Sequence, residues 1–115
     1  MIQLEKVIER GSQNLGAGIN VQWFKFADGT YLMAGRCQFT TAESNTRFVF
    51  NLTLPISLTN PSTSACAVSN VYASRRICTW SAGVITGNQI RFDVEPADTT
   101  GSGVLLACSF ILLGK

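Results

Sequence analysis

Two apolar-rich runs meet at the dipeptide Asp28-Gly29, and this arrangement constrains the fold more than any other stretch of the chain. An Asp-Gly dipeptide tolerates the positive φ angles of the tight primed turns that match the twist of paired strands. Residues 24–35 are therefore predicted to form a β-hairpin. Within it, Gly35 is expected to mark a bend or the close approach of another backbone.

Beyond residue 18, apolar and polar residues alternate with a period of two, which is typical of half-buried β-strands. The clearest example places Ile90, Phe92 and Val94 between polar neighbours and ends at Pro96. A second tight turn is predicted at Gly87-Asn88. The other predicted strands span residues 19–26, 31–39, 47–54, 65–73, 76–82 and 104–113. We therefore predict an all-β fold, an antiparallel β-sandwich of about 7 to 8 short strands.

Two of these stretches are apolar on both sides. The alternation slips at Trp23-Phe24, which predicts either a bulge or a strand that is covered on both faces. Residues 104–113 are apolar at nearly every position. Such a strand needs two covers, and the second cover is expected to be either another sheet or another subunit.

The first 18 residues have a different pattern. Ile2, Leu4 and Val7 alternate irregularly with charged residues, which favours a short amphipathic helix or an arm packed on a neighbour. Residues 11–18 have the composition of a linker. We divide the chain into a connector, residues 1–18, and a sandwich domain, residues 19–115.

The composition restricts the range of partners. The chain has 115 residues, of which 46% are hydrophobic and 14% charged, with a net charge of +2. Nucleic-acid binding is not expected, because phosphate contact requires clustered Lys and Arg. Membrane insertion is not expected either, because the apolar run at 104–113 is about half of the ~20 residues that a spanning helix needs. Such a surface suits uncharged or weakly charged ligands, or contact between subunits.

The cysteines point to a structural role. The chain has no histidine, and its four cysteines contain no Cys-x-x-Cys pair, so neither a metal site nor a cofactor is predicted. Each cysteine falls in step with apolar neighbours at period two, which favours reduced core residues. Disulfides are the alternative. The four residues are Cys37, Cys66, Cys78 and Cys108.

No catalytic residues are predicted. Without histidine, the usual Ser and Cys triads lack their base. Asp93 and Glu95, at i and i+2 of one strand, are the closest approach to a glycosidase carboxylate pair, but a solvated strand face explains them more simply. We therefore expect a protein that is not an enzyme, and polysaccharide degradation is the least favoured hypothesis.

Four segments carry a family resemblance. Residues 22–30, which read Gln-Trp-Phe-Lys-Phe-Ala-Asp-Gly-Thr, together with Ala34-Gly35 resemble the opening of the C-terminal domain of phage tail fibre and receptor-binding proteins. Residues 50–61 resemble the strand of that family that enters an Asn-x-Pro turn. Residues 107–115 resemble its terminal strand, and residues 11–14 resemble the Gly-Ser-Asn step before the domain.

The resemblance implies a homotrimeric β-sandwich at the tip of a virion tail fibre, made in the cytoplasm of a bacterial host. The implied partners are the fibre shaft and a bacterial surface glycan, lipopolysaccharide or outer-membrane protein. The implied function is host-cell recognition by adhesion. The alternative is a structural or trimerisation module that caps the fibre without touching a receptor.

Receptor contact is predicted on loops, because a rigid scaffold usually presents binding residues there, and aromatic and Arg side chains contribute most at interfaces. One candidate segment is residues 72–76 with the nearby Trp80, and the other is the loop 98–102. Alternatively, Trp80 is a core residue and Arg75-Arg76 a solvated turn. The predicted receptor-binding residues are Tyr72, Arg75, Arg76, Trp80, Asp98, Thr99, Thr100 and Ser102.

Overall fold

The computed structural model describes residues 6–16, 18–71 and 77–115, and in these it contains eight β-strands. The strands are β1 Val7–Asn14, β2 Asn20–Phe26, β3 Tyr31–Thr40, β4 Phe48–Thr53, β5 Ala65–Val71, β6 Cys78–Thr86, β7 Gln89–Pro96 and β8 Leu105–Gly114, with a 3-10 turn at Pro61–Thr63. The larger sheet has the order β1-β2-β3-β8-β5 and the smaller has the order β4-β7-β6. All pairings between these strands are antiparallel, which confirms the predicted all-β sandwich.

The hairpin predicted at residues 24–35 is present as β2 and β3, but its turn differs from the prediction. The Gly29 amide donates to the Phe26 carbonyl at 2.9 Å, and the Phe26 amide donates to the Thr30 carbonyl at 2.8 Å. Gly29 has a φ of 90°. This is a three-residue loop that closes with a left-handed glycine, not a two-residue primed turn. Asp28 holds the loop, because its Oδ1 accepts a 2.9 Å hydrogen bond from the Thr30 amide.

The core lies between the two sheets and is built from every second residue of the strands. Met33 and Cys37 on β3, Phe110 on β8 and Phe92 on β7 are among its fully or almost fully buried members. The rings of Phe92 and Phe110 meet at 5.4 Å between centroids and 64° between planes, so they join the two sheets. Burying one such side chain contributes about 2 to 3 kcal/mol to folding, which makes this alternation the main determinant of the register.

The close approach predicted at Gly35 is also present. Gly35 pairs with Val21 across β2 and β3. A Cβ at this position would overlap the Asn20 carbonyl oxygen and would lie 3.2 Å from the Phe110 ring. Only glycine leaves room for both neighbours.

The stretch around Trp23-Phe24 and residues 104–113 were both predicted to be apolar on two sides. Each has one face in the core and one face outside it. The register of β2 against β3 is continuous at Trp23-Phe24, so no bulge forms there. Trp23 packs on the core, and Phe24 points to the outer face of the larger sheet. On β8 the outward side chains Ile111 and Leu113 are 54% and 47% exposed. Among the described residues, the smaller sheet covers the inner face and nothing covers the outer one.

The N-terminal segment is a β-strand, and not the short helix that was one of the two structures predicted for it; the other was an arm packed on a neighbour. Val7–Asn14 forms β1, the edge strand of the larger sheet, and pairs with β2 through a bulge between Val7 and Glu9. A short helix would hold little stability alone, whereas a strand satisfies its backbone groups on β2. Residues 1–5 lie outside the described residues. The division of the chain at residue 18 stays a prediction.

All four cysteines are free thiols in this structure. Cys37 and Cys108 are fully buried and face each other across β3 and β8. The side-chain hydrogen bond that the Cys108 thiol makes with Cys37, together with burial, raises the pKa of Cys108, and burial raises the pKa of Cys66 to about 11. Core thiols, the favoured interpretation, agree with this arrangement.

The sandwich has two distinct ends. We call one the hairpin end. It carries the Asp28-Gly29 turn, where the Ala27 amide donates to the Lys6 carbonyl at 2.9 Å, and the C-terminal residue Lys115, whose carbonyl accepts from the Asn60 amide at 2.6 Å. We call the other the loop end. It carries the connections 41–47 and 97–104, and here the chain also leaves β5 and enters β6.

Candidate binding site

Two connections at the loop end are tied together by backbone hydrogen bonds. The Thr41 amide donates to the Val104 carbonyl at 2.9 Å, and the Gly103 amide donates to the Thr41 carbonyl at 2.7 Å. The Thr41 hydroxyl donates to the Gly101 carbonyl at 2.7 Å and accepts from the Val104 amide at 3.0 Å. Thr41 itself is only 3% exposed, so the side chain at the centre of these bonds is buried. The loops are therefore a fixed scaffold.

A second pair of backbone hydrogen bonds joins the same two loops at a point further from the sheets. Asn45 and Thr100 form an isolated antiparallel bridge, with each amide donating to the other carbonyl at 3.0 Å. The Asn45 Oδ1 also accepts a 2.7 Å hydrogen bond from the Thr46 amide. The bridge leaves Asp98, Thr99 and Ser102 exposed around it. This cluster offers carboxylate and hydroxyl groups to a ligand from a rigid frame.

The structure brings only some of the predicted receptor-binding residues together. Asp98, Thr99 and Ser102 lie on one loop with their side chains exposed. Thr100, in the same loop, is fully buried, so a direct side-chain contact with a receptor does not fit its position. Its role is to hold the bridge to Asn45. Tyr72, Arg75 and Arg76 lie outside the described residues.

Trp80 lies between the sheets and not on the loop end. Its ring meets Phe39 and Phe92 edge to face, each at 6.4 Å between centroids. Its indole N–H donates to the Oδ1 of Asn70 at 2.8 Å. This environment matches the alternative interpretation of Trp80 as a core residue.

A group of polar residues on the outer face of the smaller sheet was not predicted as a site. Arg47 donates to Asp93 Oδ1 at 2.8 Å, and Arg91 donates to Asp93 Oδ2 at 3.1 Å. Hydrogen bonds from Arg47 and then Arg91 lower the pKa of Asp93. A lowered pKa is the opposite of what the acid of a glycosidase needs, so Asp93 does not suit that role. Arg91 and Asp93 at i and i+2 were visible in the sequence, but Arg47 lies 46 residues from Asp93, in the connection before β4.

The same polar face contains a shallow depression of about 220 Å³. Gly83 forms part of its floor, and a Cβ there would meet no heavy atom within 4 Å. Arg91, Asp93 and Ser81 supply donors and acceptors around it, while Ile85 supplies an apolar margin. Such a surface can exchange hydrogen bonds with the hydroxyl groups of a sugar. It adjoins the loop end through Arg47, which lies just before β4.

Within residues 6–16, 18–71 and 77–115, no group of three or more His, Cys, Asp or Glu side chains could hold a metal ion. In the same residues, no helix has the length and apolarity to cross a membrane.

No protein-family model matches the chain, and neither the curated proteins nor the solved structures include a significant match.

Proposed function

We propose that this chain is the tip domain of a phage or phage-tail-like fibre and that it adheres to the bacterial surface without catalysing a reaction. The proposed assembly is a homotrimer joined to a fibre shaft. The proposed ligand is a surface glycan or lipopolysaccharide, with an outer-membrane protein as the other receptor class. The family resemblance of residues 22–35, 50–61 and 107–115 motivates this proposal.

The observation that carries the proposal is the separation of the two ends of the sandwich. Lys6 lies at the hairpin end, where Ala27 binds its carbonyl, and the tied loops lie at the opposite end. The molecule is elongated, with principal extents of 46 × 25 × 24 Å. A shaft preceding the described residues would join the hairpin end, and the loop end would then face away from the particle towards a host cell.

The chemistry of the exposed groups supports a polar ligand. Asp98, Thr99 and Ser102 at the loop end, and the Arg91 and Asp93 pair on the adjoining polar face, offer hydrogen-bond donors and acceptors on rigid elements. Such groups suit carbohydrate hydroxyls better than an extended apolar ligand. The low content of charged residues, 14%, fits an uncharged or weakly charged receptor.

A capping module that only assembles the fibre is the second candidate, and the uncovered outer face of the larger sheet favours it. Deleting residues 19–115 from the fibre gene separates the two functions. Intact particles that no longer adsorb to host cells support the adhesion proposal, whereas loss of fibre assembly supports the capping module. Labelled domain that decorates no host strain would contradict adhesion.

A further inference from the structure

Two cysteines face each other on adjacent strands of the larger sheet. Cys37 on β3 and Cys108 on β8 are direct partners in the antiparallel register of those strands. Directly opposed residues of an antiparallel pair have Cα atoms about 4.5 to 5.5 Å apart. Disulfides usually join Cα atoms that are about 4.4 to 6.8 Å apart. The backbone therefore already holds these two residues at the spacing that a disulfide needs.

The side chains of the pair also point the same way and meet. Both are fully buried in the core between the sheets, so both face the same side of the larger sheet. The Cys108 thiol makes a side-chain hydrogen bond with Cys37, which makes the two sulfur atoms neighbours. Cβ atoms of opposed residues lie about 4.5 to 5.5 Å apart, against about 3.8 Å in a disulfide, so a movement of about 1 Å is sufficient.

The other two cysteines are not placed in this way. Cys66 on β5 pairs with Leu112, four residues beyond Cys108 on β8, and four residues span about 13 Å of strand. Cys78 lies at the start of β6, in the smaller sheet. All four cysteines belong to the described residues, and Cys37 and Cys108 are the only two of them that the register opposes.

Burial controls when the two sulfur atoms can react. Thiol–disulfide exchange begins with the attack of a thiolate, and it requires access for the other reactant. Neither Cys37 nor Cys108 exposes any surface, and the hydrogen bond between them together with burial raises the pKa of Cys108. A dissolved oxidant therefore reaches the pair only while β3 and β8 are apart, as they are before the chain has folded.

We infer that Cys37 and Cys108 form a cross-strand disulfide when the chain folds in the presence of a small-molecule disulfide, and that the bond stabilises the fold. One thiolate attacks the small disulfide, which forms a mixed disulfide and releases one small thiol. The second thiolate attacks the cysteine sulfur of the mixed disulfide and releases the other small thiol. The protein loses two protons and two electrons, and the small disulfide is reduced to two thiols.

The bond would have a large effect on the unfolded chain, because it closes the long loop between residues 37 and 108. Its redox state would also record the compartment in which the chain folds. Folding among cytosolic thiols keeps the pair reduced, whereas folding in an oxidising compartment joins it. The inference does not depend on the proposed function, since a fibre tip made in the cytoplasm of a bacterium would carry the reduced pair.

The test refolds two full-length double variants that each keep two cysteines. The first carries Cys66→Ser and Cys78→Ser and keeps the opposed pair. The matched control carries Cys37→Ser and Cys78→Ser, so its two thiols lie on the neighbouring strands β5 and β8 but out of register. Each is reduced in urea and refolded in equal concentrations of reduced and oxidised glutathione, then alkylated with iodoacetamide and mapped by peptide mass spectrometry.

We expect a Cys37–Cys108 disulfide in most molecules of the first variant, at least fivefold more than the yield of disulfide in the control. Its melting temperature should exceed that of the same protein refolded with reductant by at least about 5 °C. Thermal melts also show whether each variant folds. If a serine substitution prevents folding, the wild-type chain is refolded and mapped in the same buffer.

Three results overturn the inference. The first is a folded chain that keeps both Cys37 and Cys108 as thiols. The second is an equal disulfide yield in the control or, in the wild-type chain, another pairing that forms as readily. The third is a disulfide that leaves the melting temperature unchanged or lowers it. Adsorption of either redox form to host cells tests the proposed adhesion separately.

Discussion

The indole N–H of Trp80 on β6 donates a 2.8 Å hydrogen bond to Oδ1 of Asn70 on β5, and so links the smaller sheet to the larger one. β5 and β6 lie in different sheets and do not pair through their backbones. The bond therefore joins the two sheets through side chains alone. The indole also meets the Phe39 and Phe92 rings edge to face, so Trp80 connects the two sheets through both this hydrogen bond and ring packing.

Replacing Trp80 by Phe should therefore destabilise the fold by about 1 to 2 kcal/mol, because the ring packing is largely kept while the Asn70 oxygen loses its donor. Urea unfolding at a fixed protein concentration measures the change. In a double-mutant cycle, Asn70→Ala should cost less in the Trp80→Phe background than in the wild type. Additive effects of the two substitutions would contradict a direct coupling.

The pair Gly35→Ala and Gly83→Ala tests the close approach of β2 and β3. A Cβ at Gly35 overlaps the Asn20 carbonyl, whereas a Cβ at Gly83 has open space. We expect Gly35→Ala to destabilise the protein by about 2 to 3 kcal/mol. Gly83→Ala should stay within about 0.5 kcal/mol of the wild type, since it also restricts the unfolded chain. Equal melting temperatures for the two variants would show that the Gly35 contact relaxes freely.

The Asp93 cluster should make a small, pH-dependent contribution to stability. Arg47 and Arg91 lower the pKa of Asp93 in the folded state, so its contribution is present above the unfolded pKa of about 3.9 and is lost as the pH falls through the folded pKa. Asp93→Asn should therefore be less stable than the wild type at pH 7, by under about 1 kcal/mol for a surface pair. The difference should shrink as the pH falls below the unfolded pKa and towards the lowered folded one. Asp28, whose pKa is also lowered, is present in both proteins and cancels. A stability difference that does not change between pH 7 and pH 2 would assign the effect to packing.

The rate of thiol alkylation should differ between the cysteines according to their burial. With its pKa raised to about 11, Cys66 has about one thiolate in a thousand at pH 8, against about one in four for an ordinary thiol. Its alkylation by iodoacetamide should rise about tenfold for each pH unit from 7 to 10. Cys37 and Cys108 should react only after unfolding, because both are fully buried. Peptide mass spectrometry of native and urea-treated protein reads each site, and rapid native labelling of Cys108 would contradict the buried pair.

The loop end should carry receptor affinity that the hairpin end lacks. Asp98→Ala and Ser102→Ala remove exposed side chains from the tied loops, so we expect weaker binding to host cells, at least several-fold, with an unchanged melting temperature. Thr59→Ala removes an exposed side chain at the hairpin end and is the matched control. Binding of the labelled domain to whole cells measures the effect. A loss with Thr59→Ala, and none at the loop end, would place the receptor contact at the wrong end of the molecule for a fibre tip.

The sequence by itself determined seven of the eight described strands, β2 to β8, and which of their side chains face the core. A period of two leaves a strand only one way to bury Ile90, Phe92 and Val94 together, and an Asp-Gly dipeptide leaves few ways to connect β2 to β3. The apolar residues on both sides of 104–113 also predicted that the outer face of β8 is apolar, as Ile111 and Leu113 are. These features depend on neighbours within a few residues, so local pattern is sufficient to find them.

Only the tertiary structure decided how those strands are distributed between the sheets and which residues meet. The pairing of β8 between β3 and β5, the capture of Val7–Asn14 as an edge strand and the contact of Arg47 with Asp93 all join residues that are distant in sequence. Thr100 is a further case in which local sequence is not sufficient. Its polar side chain and its place in a Gly- and Ser-rich loop predicted exposure, but in the structure it bridges to Asn45 and is buried. Whether a side chain is buried depends on the strands and loops that pack against it. These partners are distant in sequence, so a local pattern cannot identify them.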